Sequence, residues 1–505
     1  MIQSLRIAVV LAVLACALGC GGGGMAPVGG GGGGGGASAT VTISNNANGK
    51  FGVAMSTSFQ PAEWDYTFFQ DFPGEATTLG NLQPHHVRLQ GISQGVPQTS
   101  ATTWNFSILD AITQPVLGVG DHSPEFQIAK APPFMYVNND SSQSFTDLTF
   151  QQFAGYAQNL VRYYDTGGFT PPGGSLLKSP AYPNETITWW GIYNEPSINN
   201  NLDATEYTTM YNAVVPAMQA VDPNIKFVGL EMCCSSESWA STFAANLHAN
   251  VPVDAVASHY YSSCNQRDTD TQVMGTVPGF ASSVQTIRVN LSTANPALAT
   301  VPIWITENNV NADFNAGNGM SACNPGQTFV DDLRGSDAFF AAWRPYVFSQ
   351  VGKAGVQLLY HWDFAADPQF GELNGSTGQT QLSYWVDYWL GQMFPSGPIG
   401  RLILQTSNTD TADVEELAVQ NPTDGSVVVL VSNHAVASSA DNNGKGLNAS
   451  VIVNLSGLGP FTTASLVTID STSSPITGPT PVSISPTSPI TLTLNGYSSA
   501  LLKLK

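Results

Sequence analysis

The sequence predicts an α/β protein in which a (β/α)8 TIM barrel is followed by a C-terminal antiparallel β-sandwich. Eight short apolar segments alternate with helix-length stretches between residues 51 and 393, the pattern of a closed parallel sheet. Two of these segments end in a lone glutamate, Glu195 and Glu307. Beyond Pro395 the chain becomes rich in Val, Thr, Ser, Pro and Gly, with short alternating runs that are typical of a sandwich.

The first twenty residues have the pattern of an export signal. Arg6 precedes an apolar run, Ile7 to Leu18, that is too short to span a bilayer. The run ends at Ala17-Leu18-Gly19-Cys20, which resembles a bacterial lipoprotein box, so we expect Cys20 to be acylated. A cleaved leader without a lipid is the alternative. Residues 21–40 form a glycine-rich linker. The expected location is the bacterial cell envelope, lipid-anchored on the periplasmic or cell-surface side, or the medium after secretion.

Residues 41–395 supply the predicted barrel. Its eight strands are expected at Phe51–Ser56, His85–Gln90, Phe126–Ala131, Thr186–Tyr193, Ile225–Leu230, Val253–Tyr260, Val301–Thr306 and Gly355–Trp362. Helix-like spacing of apolar residues marks Phe150–Tyr164, Ala204–Ala220 and Gly335–Gly352, and a last helix near Ser383–Met393 would close the domain.

Residues 396–505 supply the predicted sandwich. Alternating runs occur at Ser426–Ser432 and Ala449–Leu455, and turn signals such as Asp424-Gly425 separate them. The early segment Ala39–Ser44 has the same character and is expected to add a strand to this domain, although it precedes the barrel.

Composition excludes several classes of partner. The formal charge is −20, and only 16 lysines and arginines are spread over 505 residues, so no basic cluster can neutralise nucleic-acid phosphates. The same charge limits membrane contact to the expected lipid anchor. The sequence contains no phosphate-binding loop and no His-Glu-x-x-His motif, so we expect neither a cofactor nor a metal.

Four cysteines follow the leader: Cys233, Cys234, Cys264 and Cys323. Export favours disulfides among them. Four cysteines allow three pairings, and the sequence leaves the choice open. A bond between the adjacent Cys233 and Cys234 is the least favourable, because neighbouring residues fit disulfide geometry poorly.

The two strand-end glutamates indicate the chemistry. In Trp189–Pro196, Pro196 has no N–H and ends ladder pairing, so Glu195 is held at the carboxyl end of the fourth strand. Glu307 takes the same place on the seventh strand, across the barrel mouth. Glycoside hydrolysis needs two carboxyl groups that flank one bond. Two solvated loop acids are the alternative, which the aromatic surroundings of both glutamates disfavour.

The motifs around these glutamates resemble those of clan A glycoside hydrolases. The segments that carry the resemblance are Asn194-Glu195-Pro196, Trp304-Ile305-Thr306-Glu307, His86-Val87-Arg88-Leu89, Ser258-His259-Tyr260-Tyr261 and Tyr360-His361-Trp362. Within the clan the chain is most similar to glycoside hydrolase family 39, the β-xylosidase and α-L-iduronidase family. The resemblance extends from Gly49 to Met393, and a trailing sandwich is also typical of the family.

The resemblance implies a role for each matching residue. Glu195 would be the general acid/base and Glu307 the nucleophile. Asn194 would hydrogen-bond the sugar 2-hydroxyl, and Arg88 would hold Glu307 ionised. The remaining residues would line the sugar subsite, with His259 on one wall, Tyr261 orienting Glu307, and Trp362 as a stacking platform.

Two positions depart from the family. Gln90 stands where the family commonly has a histidine, and Lys130 precedes a Pro-Pro segment that is similar to family 30. Both are expected to touch sugar hydroxyls, and Lys130 could meet a uronate. The expected activity is retaining, double-displacement hydrolysis of poly- or oligosaccharides of the β-xylosidase type. The alternatives are an endoglycanase or glucuronidase like those of families 30, 79 or 5, and a catalytically silent carbohydrate-binding surface protein.

Overall fold

The structure is a computed structural model that describes residues 37–52, 54–59, 67–82, 87–90, 95–118, 124–199, 202–233, 236–395 and 400–505. The predicted leader with Cys20, most of the glycine-rich linker, and Cys234 lie outside these residues. Among the helices that the structure describes, none has the length and apolar character needed to cross a bilayer.

Eight parallel strands form a closed barrel, because the first of them pairs with both the second and the last. The barrel strands are β2 (Ala54–Phe59), β3 (Arg88–Leu89), β4 (Glu125–Ile128), β5 (Trp189–Ile192), β6 (Lys226–Cys233), β7 (Ala255–Ser263), β8 (Ile303–Asn311) and β9 (Leu358–His361). Each overlaps one of the eight predicted strands, which confirms the predicted barrel.

Helices cover the outside of the barrel. They are α1 (Phe68–Asp71), α2 (Glu75–Asn81), α3 (Ser107–Leu117), α4 (Gln151–Asp165), α5 (Pro196–Asn199), α6 (Ala204–Gln219), α7 (Ser236–Asn246), α8 (Asp270–Gly275), α9 (Val277–Ala294), α10 (Ala338–Lys353) and α11 (Leu382–Met393). Short 3-10 turns lie at Pro133–Met135, Val137–Asn139, Pro296–Leu298 and Leu333–Gly335. Asp203 caps α6 by accepting from the backbone N–H groups of Thr205 and Glu206, while Glu206 reaches back to the N–H of Asp203.

The interior of the barrel is filled by side chains that point inward from alternate strand positions. The rings of Trp189 and Trp304 lie with their centroids 4.5 Å apart, and Tyr360 packs beside them. This apolar layer closes the barrel from below, so the polar side chains at the carboxyl ends of the strands form the floor of a one-sided cleft.

The second domain is a nine-stranded sheet in the order β17-β16-β19-β14-β13-β12-β1-β15-β18. Its strands are β1 (Ala37–Phe51), β12 (Arg401–Asn408), β13 (Val414–Gln420), β14 (Val427–Asn433), β15 (Ala449–Ser456), β16 (Ala464–Ile469), β17 (Val482–Ile484), β18 (Ile490–Leu494) and β19 (Ser498–Leu504). The remaining pair, β10 (Ala365–Ala366) and β11 (Leu373–Asn374), forms a small separate sheet beside the barrel.

The N-terminal strand joins the two halves of this second sheet. β1 pairs antiparallel with β12 and parallel with β15, so the sheet is mixed rather than wholly antiparallel. The predicted strand Ala39–Ser44 lies within β1, and residues 41–51, which the sequence assigned to the barrel, belong to this sheet. The sheet curls around one apolar core, to which β1, β14 and β15 all contribute valines.

The two domains share a buried boundary along α10. In β14, Val429 and Val431 face the core of the second domain, whereas Val428 and Leu430 belong to the cluster that surrounds the barrel. Ser432 Oγ donates to the carbonyl of Ala342 at 2.7 Å. Period-two alternation therefore places one apolar face of β14 in each domain, and the second domain packs on the barrel's outer helices.

One disulfide links two loops on the active face of the barrel. Cys264 and Cys323, whose Cα atoms are 5.8 Å apart, join the segment after β7 to the segment after β8. Asn324 Nδ2 donates to the carbonyl of Cys264 at 2.7 Å. This is one of the pairings that the sequence left open. Cys233 carries a half-buried thiol at the end of β6.

Candidate active site

The carboxyl ends of the barrel strands bring the two predicted catalytic glutamates together. Glu195 follows β5, with 19% of its side chain exposed, and Glu307 lies on β8, with 7% exposed. A carboxylate oxygen of each and a ring nitrogen of His259 all lie within 4.8 Å of one another. The site therefore has the paired carboxyl groups that the motifs predicted.

Unusual backbone conformations aim these side chains into the cleft. Tyr193 and Glu195 have φ of 70° and 43°, and Leu230 and Glu231 on the neighbouring strand have φ of 74° and 46°. The register between β6 and β7 shifts between Gly229 and Met232, which marks a bulge at this pair. Such left-handed residues persist only where the surrounding structure holds them, and they concentrate at functional sites.

Hydrogen bonds hold the strained segments against each other. The N–H of Glu195 donates to the carbonyl of Glu231 at 2.9 Å. The Tyr207 hydroxyl donates to the carbonyl of Ile192 at 3.0 Å and accepts from the N–H of Leu230 at 2.6 Å. Glu195 is therefore tied through its backbone to the bulge that carries Glu231.

Arg88 is the centre of the buried polar network. Its Nη1 donates to Gln90 Oε1 at 2.7 Å and to Glu307 Oε1 at 3.0 Å. Its Nη2 donates to Asn194 Oδ1 at 3.0 Å and to Glu231 Oε2 at 3.2 Å. Burial disfavours the guanidinium charge, but the neighbouring carboxylates outweigh it and raise the Arg88 pKa above its usual range. The cation is therefore permanent, and the role expected for it at Glu307 remains a prediction.

His259 lies between the two predicted catalytic glutamates. Its Nδ1 is 2.9 Å from Glu195 Oε1 and 3.4 Å from Glu307 Oε2, and its Nε2 is 3.4 Å from Glu231 Oε2. Burial favours neutral imidazole, but these three carboxyl groups together raise the His259 pKa to about 9. At neutral pH the imidazolium donates toward the catalytic pair from one nitrogen and toward Glu231 from the other.

Two buried glutamates beneath Arg88 were not among the predicted site residues. Burial raises the pKa of Glu125 well above its usual range, and the adjacent Glu231 charge acts in the same direction. Burial also opposes the charge of Glu231, but Arg88 and the hydrogen bond from His259 outweigh it and lower the Glu231 pKa to about 2. The pair therefore consists of a neutral Glu125 carboxyl and a Glu231 carboxylate.

A glycine leaves room for this pair. A Cβ atom on Gly191 would lie 2.9 Å from Glu125 Oε1 and 2.9 Å from Glu231 Oε1. The two carboxyl groups thus converge over the backbone of β5, and a side chain at position 191 would separate them.

Asn194 and Gln90 belong to the same network. Asn194 is buried, and its Oδ1 accepts from Gln127 Nε2 at 2.8 Å as well as from Arg88. These two donors fix the orientation of the amide, so Nδ2 is the edge that points away from Arg88. Gln90 is buried and accepts from Arg88. A contact between Gln90 and the sugar remains a prediction.

Aromatic side chains form the wall of the cleft beside Glu307. The Tyr261 hydroxyl donates to Glu307 Oε2 at 2.9 Å. The Trp362 ring packs at 4.7 Å from Phe370 and 6.5 Å from Tyr261 between centroids, and its role as a stacking platform remains a prediction.

Lys130 stands apart from the rest of the predicted site. It is half-buried two residues beyond β4, and within the described part of the chain no ion pair joins it to the Arg88 network.

A second buried acid–histidine group lies behind β9. His361 Nδ1 is 2.8 Å from Asp387 Oδ2, Arg344 Nε donates to Asp387 Oδ1 at 2.9 Å, and Glu372 completes the group. Here, as at Glu195 and Glu307, an arginine already supplies the positive charge, so we interpret both groups as ion-pair networks rather than metal sites.

The sequence has little similarity to known proteins. No family model matches the chain. A β-xylosidase of Geobacillus stearothermophilus is 33% identical over 87 residues, which are 16% of this chain, and the match spans 17% of that protein's length.

Solved structures match almost the whole chain. A monomeric β-xylosidase from Caulobacter crescentus CB15 has a TM-score of 0.64 at 14% identity and covers 92% of this chain and 99% of its own. A family 39 β-xylosidase from Caulobacter crescentus has a TM-score of 0.58 at 14% identity, with the same coverage of 92% and 99%. A family 30 subfamily 8 xylanase from Clostridium acetobutylicum has 0.57 at 14%, again covering 92% and 99%. The chain shares the barrel-and-β-domain fold of these glycoside hydrolases, and the resemblance to families 39 and 30 is confirmed at the level of fold.

Proposed function

We propose that this protein is a retaining glycoside hydrolase of the β-xylosidase type that cleaves O-glycosidic bonds in poly- or oligosaccharides. The observation that carries the proposal is the close approach of the Glu195 and Glu307 carboxyl groups, within 4.8 Å of each other and of His259. The similar folds of β-xylosidases and xylanases support the same conclusion. A silent binding protein would need neither the paired acids nor the strained backbone that aims them.

Double displacement assigns one role to each acid. Glu307 is already oriented by Arg88 and Tyr261, and its carboxylate attacks the anomeric carbon while the glycosidic C–O bond breaks. Glu195 gives its proton to the departing oxygen. In the second step Glu195 takes a proton from water, the water oxygen bonds to the anomeric carbon, and Glu307 is released as carboxylate.

The separation of the carboxyl groups predicts the stereochemical outcome. Retaining enzymes hold the pair about 5–5.5 Å apart, whereas inverting enzymes need about 6.5–9.5 Å to admit a water. One carboxyl oxygen of Glu195 and one of Glu307 lie within 4.8 Å of each other, which favours the shorter spacing of retaining enzymes. We therefore expect the first-formed product to keep the substrate's anomeric configuration, as observed by proton NMR within the first turnovers. An inverted first product would remove Glu307 from the nucleophile role.

The choice of sugar rests on similarity and is the part of the proposal that a substrate panel tests most directly. Turnover of 4-nitrophenyl β-D-xyloside, compared with the corresponding glucoside, arabinoside and glucuronide, distinguishes the β-xylosidase proposal from its relatives. Release of xylose alone from xylo-oligosaccharides would support exo action, and internal cleavage of xylan would favour the family 30 alternative.

We further propose that the enzyme is anchored in the cell envelope through Cys20. The leader pattern and the glycine-rich linker support this location. Labelled palmitate should enter the wild-type protein in a bacterial host and should not enter Cys20→Ser. Unlabelled wild-type protein found freely soluble in the periplasm or medium would refute the anchor.

A further inference from the structure

Glu231 contacts both cations of the candidate site and the residue that precedes Glu307. Its Oε2 lies 3.2 Å from Arg88 Nη2, 3.4 Å from His259 Nε2 and 2.7 Å from the Thr306 hydroxyl, which precedes Glu307. Its backbone carbonyl accepts from the N–H of Glu195. The side chain is fully buried, so it does not touch substrate, and its position is set by left-handed backbone in a β-bulge.

The charges of the buried network balance when His259 and two of the four carboxyl groups are protonated. Two cations, Arg88 and His259, face four carboxyl groups: Glu125, Glu195, Glu231 and Glu307. A net charge buried at this depth is costly, so two of the four carboxyl groups must be protonated in the resting site. Glu195 carries one proton for catalysis, and Glu125, deepest in the barrel, carries the other.

We propose that Glu231 is the positioning residue of this site: its carboxylate, hydrogen-bonded by a neutral Glu125, keeps His259 doubly protonated between Glu195 and Glu307. The Nδ1–H of His259 then donates to whichever of Glu195 and Glu307 is ionised at each step of the reaction. It faces the Glu307 carboxylate in the resting enzyme and the Glu195 carboxylate once Glu307 is esterified. Two carboxylates balance two cations in both states, so neither step buries a net charge. The inference rests on the proposed retaining function.

The remaining groups around His259 do not replace Glu231 in this role. The acids in contact with the imidazole are Glu195 after β5, Glu231 on β6 and Glu307 on β8. Nearby, Cys233 is the register partner of His259 on β6, Tyr261 donates to Glu307, and Arg88 lies beyond Glu231. Glu195 and Glu307 both exchange their charge during the reaction. Glu231 is the acid in contact with the ring whose charge stays constant.

The first experiment measures the protonation of His259 and needs no substrate. Protein labelled with nitrogen-15 in the imidazole rings is titrated by NMR, and the His259 signals are assigned by their loss in His259→Asn. In the wild type both ring nitrogens should stay protonated until the pH approaches about 9. Titration of wild-type His259 near the ordinary value of about 6.5 would overturn the proposal, whether or not any variant folds.

Two isosteric changes should then have different effects on the same titration. Glu231→Gln removes the constant charge and should weaken proton binding to His259 by about tenfold or more. Glu125→Gln keeps a donor toward Glu231, because its amide N–H replaces the carboxyl O–H, and should leave proton binding to His259 within about threefold of wild type. If Glu231→Gln and Glu125→Gln change proton binding to His259 equally, the charge of Glu231 has no special role and the proposal is wrong.

The second experiment links protonation to turnover. The substrate is 2,4-dinitrophenyl β-D-xyloside, whose leaving group needs no proton. With it, kcat/KM of Glu231→Gln should fall about 10²-fold relative to wild type, and the alkaline limb of its pH profile of kcat/KM should move to lower pH. Glu415→Gln, which changes a buried acid at the boundary with the second domain, is the matched control and should retain wild-type kcat/KM.

The two arms separate failure of this inference from failure of the proposed function. If wild type cleaves none of the aryl glycosides but His259 stays protonated to high pH, the function is wrong and the charge network stands. If wild type cleaves the xyloside and the pH limb of Glu231→Gln coincides with that of wild type, the positioning role is wrong and the function stands.

Discussion

Replacement of Glu307 by alanine should abolish turnover of every substrate, whereas Glu195→Ala should lose activity in proportion to how poor the leaving group is. Glu307 supplies the electron pair that forms the glycosyl-enzyme, and Arg88 and Tyr261 hold its carboxylate in place. General acid help is worth roughly 10²–10⁴-fold in rate. Glu195→Ala should therefore lose that factor on an alkyl or sugar leaving group and much less on 2,4-dinitrophenol. Initial rates over an aryl glycoside series measure the difference.

Azide provides an independent check on the role of Glu195. In Glu195→Ala the glycosyl-enzyme lacks its base for activating water, and a small anion can enter the vacated space and attack the anomeric carbon directly. Added azide should raise kcat on dinitrophenyl substrates and yield a glycosyl azide of retained configuration. Glu237→Gln, on the outer helix α7, is the matched control and should respond to neither leaving group nor azide. If Glu195→Ala loses the same factor in activity on substrates with good and poor leaving groups, Glu195 is not the acid/base.

The barrel and the placement of Glu195 and Glu307 at its mouth were predictable because local signals agree with the global fold. Parallel strands buried on both faces are continuous apolar runs, and each run ends at a polar residue or proline, so strand positions follow from the sequence. Glu195 and Glu307 were found because each is the first acid after such a run. Strand-end placement alone then put them at one face of the barrel.

Glu125 and Glu231 were not predicted, although each adjoins a predicted strand. Glu231 is the first acid after the predicted strand Ile225–Leu230, so it carries the same strand-end signal as Glu195 and Glu307, and the Gly229-Leu230-Glu231 sequence adds the glycine that often accompanies a bulge. Glu125 directly precedes the predicted strand Phe126–Ala131, where an acid is indistinguishable from one that faces solvent. The closeness of the two carboxyl groups depends on the absence of a side chain at Gly191, which only the structure shows.

Pairings between distant segments were also beyond prediction from the sequence. The alternating pattern of Ala39–Ser44 indicates a strand, but it contains no information about partners, and β1 pairs with strands about 360 and 410 residues later in the chain. The disulfide between Cys264 and Cys323 follows from the proximity of the β7 and β8 loops, which depends on the closed barrel and on no local spacing.

Arg88 should be the most sensitive residue outside the two acids. It is the buried cation that donates to Glu307, Asn194 and Glu231 together. Arg88→Met leaves two buried carboxylates, Glu231 and Glu307, with His259 as their one remaining cation, and breaking a buried ion pair typically costs about 3–5 kcal/mol of folding free energy. In the protein that remains folded, Asn194 also loses the donor that orients its amide. We expect kcat/KM to fall by about 10³-fold or more, since loss of a single charge-stabilising donor costs about 10²–10³.

Two further variants distinguish the effects of charge, donor geometry and folding on Arg88→Met: Arg88→Lys and a change at a second buried arginine. Lysine restores the charge but not the planar donors on two nitrogens, so it should recover stability better than kcat/KM. Arg334, fully buried between Asp332 and Asp270 at the boundary of the domains, is the matched control. Arg334→Met should lower the free energy of unfolding by a similar amount, while the folded fraction keeps the wild-type kcat/KM. Urea titration and active-site-normalised rates measure both quantities. If Arg88→Met and Arg334→Met lose activity only in step with folded fraction, Arg88 holds the barrel together and the catalytic acids do not depend on its charge.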